Sequence, residues 1–286
     1  MEIIATLETH SKSHVMNVSA EPTPRRQHHQ DPLLNRSLVR GVEILRAFRP
    51  GADLLGNGEI AERTGLSRAT VSRLTQTLVD TGLLEHDRGR RAYRLAAPVL
   101  SLGHAMRSGS PVLNAVAPLM RALAEKMRIN VGLAVADRDE MVYLESVRYN
   151  RRVALRNVVA GQRVPMELTS LGRAYLAVAP EAERRALLAR FKVARRSGWP
   201  AIRDDIAAAM ASVERSGYCA ASWQPEVVAV ATPLVLPDRP IYVLNASVTT
   251  AARLEDAERE LRGPLLALRD KAIATLRVND LPASHA

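Results

Sequence analysis

Cysteine and long apolar runs are scarce in this chain, and each shortage excludes a class of protein. One cysteine, Cys219, occurs among 286 residues, so no internal disulfide or cysteine-ligated metal cluster can form. No apolar run reaches the roughly 18 residues of a membrane helix, and the N-terminus lacks the basic and then apolar segments of a secretory signal. We therefore expect a cytoplasmic protein in a reducing compartment, with no membrane among its partners.

The sequence motifs of common enzymes are also missing. There is no Walker loop, no Gly-x-Ser-x-Gly, no paired-cysteine motif and no His-Glu-x-x-His. The sequence therefore gives no support for a hydrolase, a nucleotide-binding enzyme or a zinc enzyme of the classes that carry these motifs. We expect no catalytic residues, no metal site and no cofactor.

The composition that is present suits a protein of about two domains. Hydrophobic residues make up 47% of the chain but aromatic residues only 3%, which predicts cores of Leu, Val and Ala. The formal net charge of +10 permits a nucleic-acid partner, although an arginine-rich surface can equally reflect genomic composition. Residues 1–34 are rich in Ser, Thr, Pro, Gln and His and predict a disordered tail, and residues 279–286 a second, short tail.

Residues 58–78 have the pattern of two short helices joined by a tight turn. The first helix is predicted to end at Gly65, because glycine tolerates the left-handed conformation of a helix terminus. Ser67 can cap the second helix by accepting a hydrogen bond from an amide one turn on, while Thr70 in place of Glu leaves the capping box incomplete. This arrangement indicates a helix-turn-helix.

The second helix has one apolar stripe and one polar face. Val71, Leu74 and Leu78 recur at helical spacing and predict the buried side. Arginine can bond guanine, glutamine adenine, and alanine the thymine methyl group, so the opposite face suits a major groove. The predicted DNA-contacting residues of this helix and its start are Ser67, Arg68, Ala69, Thr70, Ser72, Arg73 and Gln76.

A hairpin with a basic tip is predicted to follow. Apolar residues on both sides flank the segment 87–91, in which Arg88, Arg90 and Arg91 are candidates for contact with phosphate or the minor groove. The alternative is a solvated arginine-rich loop. Residues 36–95 carry eleven arginines and no lysine against seven acidic residues, a net charge of +4, which is the sign that phosphate attraction needs.

The remaining pattern predicts a linker helix within residues 96–110 and a second domain over residues 111–278. The second domain mixes helices with strands, and its first strands are predicted to pair antiparallel around the turn at 137–140. The further predicted strands are 153–159, 227–236 and 241–249, and the further predicted helices are 113–127, 170–178, 181–191, 204–216 and 254–276, the last interrupted at Gly263-Pro264. This is an α+β fold whose mainly antiparallel sheet is flanked by helices.

An ordered series of segments across both domains resembles the IclR family of transcriptional regulators, over roughly residues 36–278. The matching segments are Ser37–Leu45, Glu59–Ser67, Tyr93–Leu95, Leu102-Gly103, Val164-Pro165, Ser170–Ala174, Gly217-Tyr218 and Ala229–Pro233. The resemblance implies a winged helix-turn-helix over residues 35–95, a linker that dimerises the DNA-binding parts, and a C-terminal domain similar to the GAF fold that binds a small effector. It also implies dimers or tetramers on double-stranded promoter DNA.

The effector pocket is less well defined by the sequence. The loop from Met166 ends at a helix N-terminus, where Thr169 and Ser170 are candidate contacts for a carboxylate or simply helix caps. By their position, Asn245 and Ser247 resemble polar residues that face the effector pocket in family members. The alternative is that both are polar groups of the core. The segment after Tyr218 is shorter than usual in the family, and Ala229 stands where some members carry a cysteine that lines the pocket. A thiol contact would therefore come from Cys219, which is otherwise a small buried residue, and Trp223 is a candidate that contacts or covers the effector.

The sequence thus predicts a ligand-responsive DNA-binding regulator, repressor or activator, that binds a promoter palindrome as an oligomer and senses a small organic or aromatic acid. Two alternatives stay open. The DNA-binding module could be fused to an enzyme that modifies a small molecule, or to a domain that serves only assembly.

Overall fold

A computed structural model describes residues 34–149, 159–224, 226–250 and 253–279. Both predicted tails, apart from Leu34 and Asn279, and all of the strand predicted at 153–159 except Val159 lie outside these ranges. Within them, no helix combines the length and the apolar character that a membrane crossing requires.

The N-terminal domain is a small helical core with a three-stranded sheet. Its elements are α1 (Arg36–Ala47), β1 (Leu55–Gly56), α2 (Asn57–Thr64), α3 (Arg68–Asp80), β2 (Leu84–Asp87) and β3 (Ala92–Leu95). The strands are antiparallel in the order β1-β3-β2, so the predicted hairpin is present and β1, which the sequence did not predict, extends it. Ile44, Ile60 and Val71 are fully buried where the three helices meet.

The tight turn between α2 and α3 forms as the sequence predicts. Gly65 has φ of 70°, in the left-handed region, and its N–H bonds the carbonyl of Ala61. Ser67 Oγ then accepts a hydrogen bond from the Thr70 amide at 3.3 Å, which satisfies one free donor of α3.

The linker helix α4 (Pro98–Ser108) leads into α5 (Pro111–Met127). No residue of α4 is buried, whereas α5 buries one face that includes Val112, Val116 and Met120. The linker is therefore a helix on which Leu100, Leu102 and Met106 are not covered by the described part of its own chain.

The C-terminal domain is a six-stranded antiparallel sheet between helices, and the predicted α+β class is confirmed. Its elements are β4 (Asn130–Asp137), β5 (Glu140–Val147), β6 (Arg163–Pro165), α6 (Ser170–Val178), α7 (Glu181–Ala194), α8 (Trp199–Ser216), β7 (Cys219–Gln224), β8 (Val227–Leu234), β9 (Tyr242–Thr249) and α9 (Leu254–Asn279). The strand order is β6-β5-β4-β9-β8-β7. Helices α5 and α9 cover one face of the sheet, and α6 and α8 pack on the other.

Several sequence-based assignments in this domain were wrong. Strands β6 and β7 were not predicted, α8 begins at Trp199 rather than at Asp204, and α9 continues through Gly263-Pro264. Leucines 261, 265 and 268 of α9 are buried in the core on both sides of the proline. Their burial outweighs the hydrogen bond that Pro264 cannot make.

Candidate DNA-contacting surface and effector site

The outward face of α3 is solvent-exposed, as its periodicity predicts. The exposed residues are Arg68, Ala69, Ser72, Arg73 and Gln76. On the inner side, Val71, Thr75 and Leu78 are buried and Leu74 is half-buried. Helix α3 thus projects a row of hydrogen-bonding side chains from a packed base, and contact of these residues with bases stays a prediction.

Some of the predicted DNA-contacting side chains already have partners in the free protein. Ser67 Oγ and Thr70 Oγ1 lie 2.9 Å apart at the start of α3, where they complete the cap. Gln76 Nε2 donates to Asp80 Oδ1 at 2.8 Å. Gln76 must therefore give up or share this bond to pair with adenine, which lowers the net gain from that contact.

The turn between β2 and β3 presents its basic tip to solvent. Arg88, Arg90 and Arg91 are exposed. Asp87 orders the turn by accepting from the Arg90 backbone N–H at 3.0 Å and from Arg94 Nη2 at 2.7 Å. The hydrogen bond from the Arg90 amide is the main reason that the pKa of Asp87 lies below its ordinary value. The arginines are held on an ordered turn, where phosphate contacts are feasible.

On the face of the C-terminal sheet that meets α6, the side chains near one end are unusually small. We call this set the small-residue floor. Its strand-to-strand pairing aligns one row of Ser146, Gly132, Asn245, Ala231 and Cys219, and a second row of Asn130, Ser247, Ala229 and Ala221. Because strands lie about 4.8 Å apart, the longer row spans roughly 19 Å. These side chains are short, and those of Asn245, Ala231 and Cys219 in the longer row are buried.

A buried polar pair lies at the β5 side of the floor. Asn245 Nδ2 donates to the Tyr143 hydroxyl at 3.4 Å, and Asn245 Oδ1 is buried with no partner in the described residues. Burial raises the pKa of Tyr143 to about 12, so its hydroxyl stays neutral. A Cβ on Gly132 would lie 2.4 Å from Asn245 Oδ1 and 2.5 Å from Tyr143 Cε1, so a larger residue there would displace these two side chains.

The N-terminus of α6 lies at the other side of the floor. Thr169 Oγ1 donates to the Pro165 carbonyl at 2.8 Å and accepts from the Gly172 amide at 3.2 Å, so its hydroxyl is engaged as a helix cap. Cys219 Sγ lies 3.4 Å from the Ser170 carbonyl oxygen and links the floor to this terminus. The amides of Ser170 and Leu171 are first-turn donors without an intrahelical acceptor, which suits an anion.

The predicted effector residues are only partly brought together. Ser170, Cys219, Asn245 and Ser247 lie at or beside the floor. Met166 is fully buried under α6, where a Cβ on Gly172 would lie 2.1 Å from its carbonyl oxygen. Trp223 lies on edge strand β7 within a register shift and is 36% exposed.

Sequence reasoning missed Tyr143, Gly132 and the alanines of the floor. Alternation of small residues along β7, β8 and β4 is the only signal that could have marked them. That signal becomes specific only when the pairing of the strands is known. No group of three or more potential metal ligands occurs in the part of the chain that the structure describes.

Two family models match the chain, one for each domain. The IclR helix-turn-helix domain matches residues 37–88, and the bacterial transcriptional regulator IclR C-terminal domain matches residues 104–272. The second match covers more than half of the chain.

Individual relatives agree with both models. The HTH-type transcriptional regulator TsaQ1/TsaQ2 of Comamonas testosteroni is 36% identical over 186 residues, 65% of this chain and 66% of the relative, just under two thirds. The structure of an IclR family transcriptional regulator from Brucella abortus is similar with a TM-score of 0.79 and 34% identity, over 89% of this chain and 98% of that one.

A more distant structure resembles the fold. It is an IclR homolog from Microbacterium hydrocarbonoxydans complexed with 4-hydroxybenzoate, with a TM-score of 0.62 and 24% identity, over 85% of this chain and 99% of that one.

Proposed function

The chain belongs to the IclR family of transcriptional regulators, and from that premise we propose that it binds a roughly palindromic promoter site as a dimer or tetramer under the control of a small organic or aromatic acid. The exposed polar face of α3 on its packed base carries this proposal. Arg68, Ala69, Ser72, Arg73 and Gln76 contact base edges, and the wing arginines Arg88, Arg90 and Arg91 contact the backbone or minor groove.

The linker helix supports self-association. Leu100, Leu102 and Met106 of α4 are 78%, 64% and 51% exposed. Leu102 and Met106 are one helical turn apart and form an exposed apolar stripe, which is costly in water and favours cover by a second copy. A two-fold dimer presents two α3 helices, which accounts for a palindromic site. Sedimentation of the purified protein measures the number of subunits.

The effector proposal rests on the floor and its two polar ends. The unpartnered oxygen of Asn245 and the first amides of α6 offer hydrogen bonds on opposite sides of a surface of small side chains. An aromatic acid with a second polar group is complementary to that arrangement. The 4-hydroxybenzoate bound to the Microbacterium homolog is an acid of this kind.

One combined experiment tests both parts. Gel shifts compare the upstream intergenic DNA with a scrambled duplex at fixed salt, and thermal unfolding is measured against benzoate, 4-hydroxybenzoate and aliphatic acids. We expect specific binding, and one acid that both raises the unfolding temperature and changes the gel shift. Binding of DNA without a stabilising acid would discard the acid, and consumption of an acid would favour the enzyme alternative. A protein that binds no DNA would overturn the proposal.

A further inference from the structure

A cluster of ion pairs joins the end of α1 to the β4–β5 hairpin. Arg46 in the last turn of α1 binds Asp137, and Arg49 Nη1 lies 2.7 Å from Glu140 Oε1. Arg138 holds Glu43 with two hydrogen bonds, one of 2.8 Å between Nη1 and Oε2. We call this set, together with Arg163, the hairpin ion cluster. It connects the DNA-binding domain directly to the sheet.

Arg163 on β6 also binds the carboxylates of Asp137 and Glu140. Its Nε donates to Glu140 Oε2 at 2.8 Å, and its Nη2 binds Asp137. Burial would raise the pKa of Asp137, but hydrogen bonds from Arg46 and Arg163 outweigh it and hold that pKa below its ordinary value. Each carboxylate thus holds one arginine from each domain at once.

Arg163 is also close in sequence to the effector site. Strand β6 ends at Pro165, and the loop from Met166 leads directly to the cap of α6. A shift of this loop moves β6 and Arg163 with it. The carboxylates of Asp137 and Glu140 can then keep Arg163 only by moving away from Arg46 and Arg49.

The far part of β5 has a second connection to the DNA-binding half. Arg107 at the end of the linker helix bonds the Leu144 carbonyl, and its Nη2 lies 2.8 Å from Glu145 Oε2. Tyr143 lies between Glu140 and Glu145 and faces the floor. The β4–β5 register shifts at this point, opposite Leu133 and Ala134. A bulge locally disrupts the ladder and is the place where β5 can most easily bend.

Movement at α1 reaches the DNA-contacting helix through packing. Ile44 of α1 and Val71 of α3 are both fully buried in one core. Close-packed cores transmit displacements because they contain little free volume. The contacts therefore form a continuous path from the floor, along β5 and through α1, to α3.

We propose that β5 couples the effector floor to the DNA-contacting surface, held by the hairpin ion cluster at one end and by Arg107–Glu145 at the other. The proposal rests on the proposed function for the roles of the two sites. Occupancy of the floor beside Tyr143 bends β5 and changes which ion pairs persist. Because linkage is reciprocal, DNA bound to α3 must in turn alter β5 and the loop after β6.

That reciprocity gives a test that needs no effector. Hydrogen exchange of the full chain is measured with and without the upstream intergenic DNA, for the wild type and for Asp137→Asn with Glu140→Gln. In the wild type, we expect DNA to change the exchange rates of residues 140–147 and 163–170 several-fold. In the variant the change at residues 140–143 and 163–170 should be lost, whereas residues near Glu145 keep their connection through Arg107, and the gel-shift affinity should stay within about threefold of the wild type.

A charge exchange provides the rescue. Arg138→Glu should weaken the response of β5 to DNA, and adding Glu43→Arg should restore it, because the pair is reformed with reversed charges. Asp204→Asn, which removes an exposed ion pair with Arg203 on α8, serves as the control and should change nothing.

Each contrary outcome has a distinct meaning. No response of β5 to DNA in the wild type, or a full response in the neutralised variant, overturns the coupling while DNA binding stands. A wild-type protein that binds no DNA in the gel shift removes the proposed function itself, and the coupling with it.

Discussion

On α3 the candidate DNA contacts come from one helix of 13 residues and point into solvent, whereas the small-residue floor takes its residues from five strands and most of them are buried. The first surface depends on side chains that extend outward, such as Arg73. The second depends on side chains that are small, such as Gly132 and Ala231. Substitutions should therefore act in different ways: truncation weakens the first surface, and enlargement disrupts the second.

The largest effect is expected from enlargement at Gly172, under the effector site. A Cβ there would lie 2.1 to 2.5 Å from three backbone atoms of Met166, which cannot rotate away. Gly172→Ala should lower the free energy of unfolding by about 3 kcal/mol, measured by denaturant titration. Gly103→Ala on the linker helix is the control: nothing lies within 4 Å, and we expect up to about 1 kcal/mol of stabilisation. A loss below about 1 kcal/mol at Gly172 would contradict the close approach of the two backbones.

Truncation on α3 should leave stability unchanged and weaken specific binding. Arg73→Ala should cost about 1 to 3 kcal/mol, or roughly 5- to 150-fold in operator affinity, because alanine cannot donate the paired hydrogen bonds that arginine offers to a base. The gel shift measures this decrease, and the thermal shift with an acid should be unaffected. Arg203→Ala, an exposed arginine on α8, is the control. Full operator affinity in the Arg73 variant would remove Arg73 from the residues proposed to read the operator.

Truncation on the wing should have a smaller effect that does not depend on DNA sequence. In Arg90→Ala the backbone N–H that bonds Asp87 at 3.0 Å remains, so the turn is kept. The slope of log affinity against log salt should fall by about 1 for each phosphate that the variant no longer neutralises. Operator and scrambled DNA should weaken equally. Weakening confined to the operator would instead indicate that Arg90 binds a base.

The last effect is negligible near neutral pH and concerns the thiol at the edge of the floor. Burial raises the pKa of Cys219 to about 12, from an ordinary value of 9.0. The neutral thiol therefore stabilises the fold fully below pH 9, and this contribution is lost as the pH rises from 9 towards 12. Above pH 9, wild type should lose about 1 kcal/mol per pH unit more than Cys219→Ala. Rapid labelling of the native thiol at pH 8 would contradict its burial.

Prediction from sequence succeeded where the residues that determine a feature lie close together in the chain. The turn at Gly65, the cap at Ser67 and the exposed face with Arg73 follow from spacing along a single helix pair. It was less complete in the C-terminal domain. Strand β7 and the continuity of α9 through Pro264 depend on packing against residues far away in the chain, which overrides local preference.

The effector site shows the same contrast: the sequence predicted Thr169 but not Tyr143. Thr169 was placed at a helix start because its cap is a local hydrogen bond to Gly172. Tyr143 meets Asn245 only across two strand pairings, 102 residues apart in sequence. No spacing along the chain indicates such a pair.

The sequence by itself determined the family, the two-domain order, the polar face of α3 and the basic tip of the wing, because helical period and turn chemistry are local properties. Only the tertiary structure decided the small-residue floor, the buried oxygen of Asn245 and the ion pairs that tie Arg46 and Arg163 to Asp137. These features arise from strand register and domain contact, which are fixed by which distant surfaces are buried together.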